Sequence, residues 1–113
     1  MFINEFNDVV IGQIEHCKSM LVVKGNEYAP EANCNGDADR LAHFKKAAIL
    51  MRVTPKVALM GMLVKHYISL MDMCMKESEY PIEKWSEKIT DSINYLLILR
   101  AVVEEELDEK DRG

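Results

Sequence analysis

Two prolines constrain this chain more than any other residues, because each stands at the opening of a long apolar stretch where a helix start accommodates it. Thr54-Pro55 sets an N-cap hydroxyl before a proline at the first helical position, where the missing N–H would have no intrahelical partner anyway. The helix it opens reads to about Lys76. Tyr80-Pro81-Ile82-Glu83 repeats the logic, with Pro81 in the first turn and Glu83 near the positive end of the dipole, and predicts a helix to about Glu106.

Upstream, Phe6, Val9, Val10, Ile14, Cys17 and Leu21 keep a helical period from about Asn4 to Lys24, where Lys24-Gly25-Asn26 reads as a C-terminal cap. Glu27 to Ala38 holds Pro30, Asn33, Asn35 and Gly36 without a period, and predicts a loop of about a dozen residues. Asp37 or Asp39 then caps a short helix through Leu41, Phe44, Ala47, Ala48 and Met51. No segment sustains period-two alternation. The expected fold is all-α: a four-helix bundle-like single domain with its core at about 4–106, a long loop between helices one and two, and a frayed acidic tail from Asp108.

At 113 residues the chain is long enough to bury a core, and its formal charge of -5 argues against wrapping duplex nucleic acid. A small phosphorylated ligand needs only a few local cations or a bridging metal. Cys17, Cys34 and Cys74 include no CxxC pair and read as reduced thiols. Glu5 and Asp8 interrupt the first apolar residues, and no run of 18 apolar residues stands out, so the reading is cytoplasmic with no membrane partner. There is no GxSxG, GxGxxG or GxxxxGK[ST].

The chemistry concentrates in Glu87-Lys88-Ile89-Thr90-Asp91-Ser92-Ile93-Asn94-Tyr95. At 100° per residue Glu87, Asp91 and Asn94 fall within about 60° of one another, on a stripe that continues into Tyr95, Ile98 and Val102. Carboxylates one turn apart suit Mg²⁺, which takes hard oxygen ligands and keeps waters that a phosphate displaces. The bland reading is a solvated face with Lys84 and Lys88 as salt-bridge partners. On helix three, Leu59, Met60, Leu63, Tyr67, Leu70, Met71 and Cys74 cover one broad face, with Ala58, Gly61, Lys65, Ser69 and Asp72 together opposite, so both faces read as partly buried. Lys65, Ser69 and Asp72 offer a cation, a hydroxyl and a further metal-side carboxylate, or else a plain surface stripe. His66 reads first as a hydrogen-bonded core or interface residue. Lys24, Glu27 and Tyr28 suit a nucleotide grip as well as an ordinary turn, and Arg40, His43 and Lys46 form a phosphate-reading edge or a charged solvent face.

Taken in order, Lys24-Gly25-Asn26-Glu27-Tyr28, Asp39-Arg40-Leu41-Ala42-His43-Phe44-Lys45-Lys46-Ala47-Ala48, Thr54-Pro55 with Leu63-Val64-Lys65-His66, and Glu87 to Leu96 resemble a family of small phage and prophage proteins, the MazG-like, nucleotide-modification-associated group. The resemblance spans roughly residues 20 to 106. It implies an all-α fold related to nucleoside triphosphate pyrophosphohydrolases, which use Mg²⁺ to cleave between the α and β phosphates and work as oligomers, in a bacterial host cytosol if the chain is phage-encoded. Under it, Glu87 and Asp91 match the acidic positions of the final helix and hold metal with Asp72 or Glu27; Lys65 and Arg40 stabilise phosphate charge; Tyr28 or Tyr95 orients the base. Active members carry an ExxE-type cluster on the partner helix, where this chain has Lys65, His66, Ser69 and only Asp72. Three functions follow as expectations: a Mg²⁺-dependent pyrophosphohydrolase, a non-catalytic sponge for a nucleotide or cyclic-nucleotide immune signal, and a helical interaction protein. A homo-oligomer is expected from the resemblance and from the apolar excess of the chain.

Overall fold

The fold is described from a computed structural model for residues 1–28, 39–76 and 79–112, with the side chains of 24–28 left out. It is all-α, with four helices and no strand among the described residues: α1 (Ile3–Tyr28), α2 (Ala42–Met51), α3 (Pro55–Met75) and α4 (Ile82–Arg112). The chain divides into two compact units, Met1–Arg40 and Leu41–Gly113.

In the first unit α1 runs four residues past the expected cap at Lys24. A glycine inside a helix costs only about 1 kcal/mol against alanine, so Gly25 alone does not stop it. Glu27 and Tyr28 therefore belong to the helix backbone, and the rest of the expected loop lies outside the described residues. Gln13 Nε2 donates to Cys17 Sγ at 3.2 Å along the helix.

In the second unit α2 starts later than expected. Its N-cap position is Leu41, with no side-chain cap bond, and Asp39 stands two residues too early to serve. Asp37 lies outside the described residues. Leu41 is buried, so the start is set by packing instead of by a capping oxygen. The other end closes on Arg52, which takes the left-handed conformation (φ 57°) while its N–H reaches the carbonyls of Ala48 and Ile49. Val53 N–H adds a bond to Ala48 O at 3.0 Å, completing a closure that satisfies the last carbonyls. Thr54 then caps α3 as its sequence predicts, its Oγ1 accepting from Val57 N at 3.4 Å with Pro55 at the first position.

α3 packs against both α2 and α4. The core joins Leu41 and Phe44 of α2, Leu59 of α3 and Val102 of α4, with Met62, Tyr95, Ile98 and Leu99 packed around them. Ala58, read as lying opposite the apolar face of α3, is fully buried beside Leu59 and Leu63, whereas Gly61, Lys65 and Asp72 are exposed. The apolar face that meets the core is thus rotated toward Ala58. α3 is also the one helix among the described residues long and apolar enough to cross a membrane, with a mean hydropathy of 1.3 over its best window.

α4 continues to Arg112, so the tail expected to fray from Asp108 is helical. Charge pairs one turn apart support it: Arg100 with Glu104 at 2.7 Å, Asp108 with Arg112 at 3.3 Å, and Glu106 with Lys110 at 3.9 Å. Lys110 and Arg112 also meet the negative end of the helix dipole.

Candidate functional site

α4 packs along α3, and residues early in α4 meet residues late in α3. Lys84 and Lys88 lie against Ser69, Met73 and Lys76, and Asp91 and Tyr95 against His66. Two polar clusters follow one another along this seam, about one helical turn apart.

The first cluster surrounds Tyr95. Its ring stands edge-on to Phe44, with centroids 6.5 Å apart and planes at 84°, and tilted against His66 at 5.1 Å. His66 Nδ1 lies 3.9 Å from Asp91 Oδ2, and both side chains are mostly buried at 20% and 14% exposure. At that separation the contact is electrostatic, beyond direct hydrogen-bond reach. One residue before Tyr95, Asn94 is 5% exposed, and neither Oδ1 nor Nδ2 has a hydrogen-bond partner among the described residues. Burying an amide without partners costs about 1–3 kcal/mol, which marks Asn94 as a position that packing alone does not explain.

The second cluster is a polar depression of about 200 Å³ lined by Ser69, Asp72, Met73, Lys76, Tyr80, Lys84 and Lys88. Lys84 Nζ lies over the Tyr80 ring, 5.4 Å from its centroid, and Tyr80 packs edge-on against Trp85 at 6.1 Å. Three ammonium groups and one carboxylate leave the depression positive on an acidic chain. None of the three lysines forms an ion pair with a described residue. Ligand pockets for whole drug-sized molecules run to about 300–1,000 Å³, so this one suits a phosphate or diphosphate group.

Of the residues singled out by sequence, the structure brings Asp91, Asn94 and Tyr95 to the first cluster and Ser69 and Asp72 to the second. Glu87 is exposed on α4, one turn before Asp91. Lys65 is exposed on α3. His43 and Lys46 are exposed on α2, with the His43 ring edge-on to Phe44 at 5.8 Å. Arg40 closes the first unit and is half-buried. The side chains of Lys24, Glu27 and Tyr28 lie outside the described residues. Sequence reasoning missed Lys76 and Tyr80, and treated Lys84 and Lys88 only as salt-bridge partners. Their signal was the matched spacing of 69, 73, 76 on one helix with 80, 84, 88 leading into the next.

No three Asp, Glu, His or Cys side chains among the described residues group as a metal cage. Mg²⁺ asks less of a protein, commonly one or two carboxylates with substrate phosphates and water completing the shell; here Glu87 is exposed on α4, and Asp91, one turn on, lies beside His66.

No family model, curated protein or solved structure matches this chain.

Proposed function

We propose that this protein binds a phosphorylated small molecule of the nucleotide kind along the α3–α4 seam, its phosphate end in the lysine-lined depression. The observation that carries this reading is the convergence of Lys76, Lys84 and Lys88 with the Ser69 side chain on a space sized for a phosphate group. An ammonium bound to phosphate gains both charge and hydrogen bonding, and a partly enclosed site screens that attraction less than open water does. Next along the seam, His66, Tyr95 and Asn94 supply ring faces and an amide, the means by which proteins hold a base. Binding needs no acidic cluster, so the reading is that of a sequestering protein. Free thiols at Cys17 and Cys74 suit a reducing cytosol, where nucleotides are abundant.

Calorimetry of the full chain against ATP, a cyclic dinucleotide and inorganic pyrophosphate tests this. Micromolar binding of at least one, weakened by added salt, is expected; heat from none of them at millimolar concentration sinks it.

Hydrolysis is a second reading, favoured by the Glu87 and Asp91 pair one turn apart. Bound Mg²⁺ would supply charge neutralisation at the phosphates, with Glu87 and Asp91 as its protein ligands and Asp72 at the depression as a further carboxylate. Lys84 and Lys88 would orient the same phosphates from the depression. Pyrophosphate release from a nucleoside triphosphate, abolished by Glu87→Gln while binding persists, is the expected result; turnover unchanged in that variant rejects the assignment.

A further inference from the structure

Lys84 and Lys88 stand one turn apart on α4, a pair of like charges, and Lys84 lies in the first turn, where the helix dipole favours an anion. Both placements are unfavourable for the protein by itself. Lys76 brings a third ammonium group from the C-cap position of α3. Against these three the depression holds one carboxylate, that of the exposed Asp72; Glu83 and Glu87, in the same turns of α4, do not line it. Lys88, Ser69 and Tyr80 are half-buried and Met73 is buried, which keeps part of the charge out of bulk water. An anion that meets all three ammonium groups relieves both unfavourable placements at once.

We infer that the depression takes a metal-free phosphate terminus, a monoester or a diphosphate, and discriminates against phosphodiesters and against phosphates already carrying Mg²⁺. This rests on the reading of the α3–α4 seam as a nucleotide site and adds the charge state of the end it holds. Three ammonium groups against one carboxylate leave two positive charges unmatched. A phosphate monoester carries about two negative charges near neutral pH and presents three terminal oxygens. A diester, cyclic or linear, carries one charge and has carbon attached where the third oxygen would be. Mg²⁺ riding on the phosphate neutralises the oxygens that the ammonium groups would bind and is itself repelled by them. Asp72 then acts against binding, as a like charge beside the ligand.

Calorimetry of the full chain in EDTA tests this with pyrophosphate, adenosine 5′-monophosphate and the 5′-methyl ester of that monophosphate, which keeps base and ribose but caps one terminal oxygen. The monophosphate should bind about tenfold more tightly than its ester, the worth of one charge-assisted contact. Millimolar Mg²⁺ should weaken pyrophosphate binding several-fold. Asp72→Asn, an exposed substitution whose helical circular dichroism should match the wild type, should tighten both pyrophosphate and the monophosphate about threefold, the size of an exposed charge–charge term. An ester that binds as well as the monophosphate, pyrophosphate affinity unchanged or raised by Mg²⁺, or Asp72→Asn that binds no more tightly overturns this inference and leaves nucleotide binding standing. Binding by none of the probes, in EDTA or in Mg²⁺, overturns the nucleotide reading itself.

Discussion

Each end of α4 borders a depression that lysines reach, and the two depressions leave those lysines in opposite states. Toward its C-terminal end lies the larger space, about 430 Å³, lined by Leu41, Lys45, Thr54, Pro55, Val102, Glu105, Glu106 and Glu109. Its cations are already answered, Lys45 by Glu105, and Lys56 nearby by Glu106 at 3.1 Å. At the other end the space is half that size, yet Lys76, Lys84 and Lys88 outnumber the single carboxylate of Asp72. Size alone selects the wrong end for an anionic ligand. What separates the two is whether the protein's own carboxylates have neutralised its ammonium groups, since only unneutralised ones attract a phosphate strongly.

The largest effect expected from this contrast is on binding. Removing both Lys84 and Lys88 by alanine substitution should weaken nucleotide or pyrophosphate affinity about 100-fold, at about 1.5 kcal/mol for each charge-assisted contact. Calorimetry reads this directly, while the matched Lys45→Ala, Lys56→Ala protein should bind as the wild type does. Equal losses in the two proteins would erase the distinction between the ends.

Asn94 sharpens the comparison from the interior. Replacing a buried amide that lacks partners with an apolar side chain of similar size is commonly neutral or stabilising, because the desolvation cost disappears. Asn94→Leu should therefore raise the unfolding free energy by about 1 kcal/mol and at the same time weaken ligand binding at the adjacent seam. Chemical denaturation alongside calorimetry separates the two. A destabilised Asn94→Leu protein would mean the amide is structural, and the seam would then lose its inner contact.

Helix starts were legible in the sequence wherever a residue acts locally. Thr54-Pro55 and Pro81 fix backbone geometry through their own covalent structure, and both helices begin there. Ends and caps set by longer-range effects were not: α1 passes through Gly25, α2 begins on buried Leu41, and α4 is carried past Asp108 by ion pairs one turn apart. The same division applies to the candidate site. Asp91, Asn94 and Tyr95 share a stripe of one helix, so spacing groups them. The lysine-lined depression combines residues from two helices and the link between them, and no periodicity within one segment reveals it. Glu87 shares the stripe by angle but lies exposed.

The smallest effect belongs to the neutralised end. Lys45 and Glu105 are 39% and 35% exposed, so water and salt screen their attraction, and holding two long side chains together offsets part of what remains. Lys45→Ala should lower stability by about 0.5 kcal/mol, the range measured for exposed pairs, and the loss should shrink as salt is raised. If instead Lys45→Ala costs several kcal/mol and is insensitive to salt, the pair is shielded from solvent and holds α2 onto α4. A carboxylate so shielded would leave this larger depression strongly negative once its lysine was removed. The mutant should then bind a polyamine such as spermidine more tightly than the wild type does. Calorimetry with spermidine therefore decides whether the carboxylates of this end are screened by water or held in check by Lys45 and Lys56.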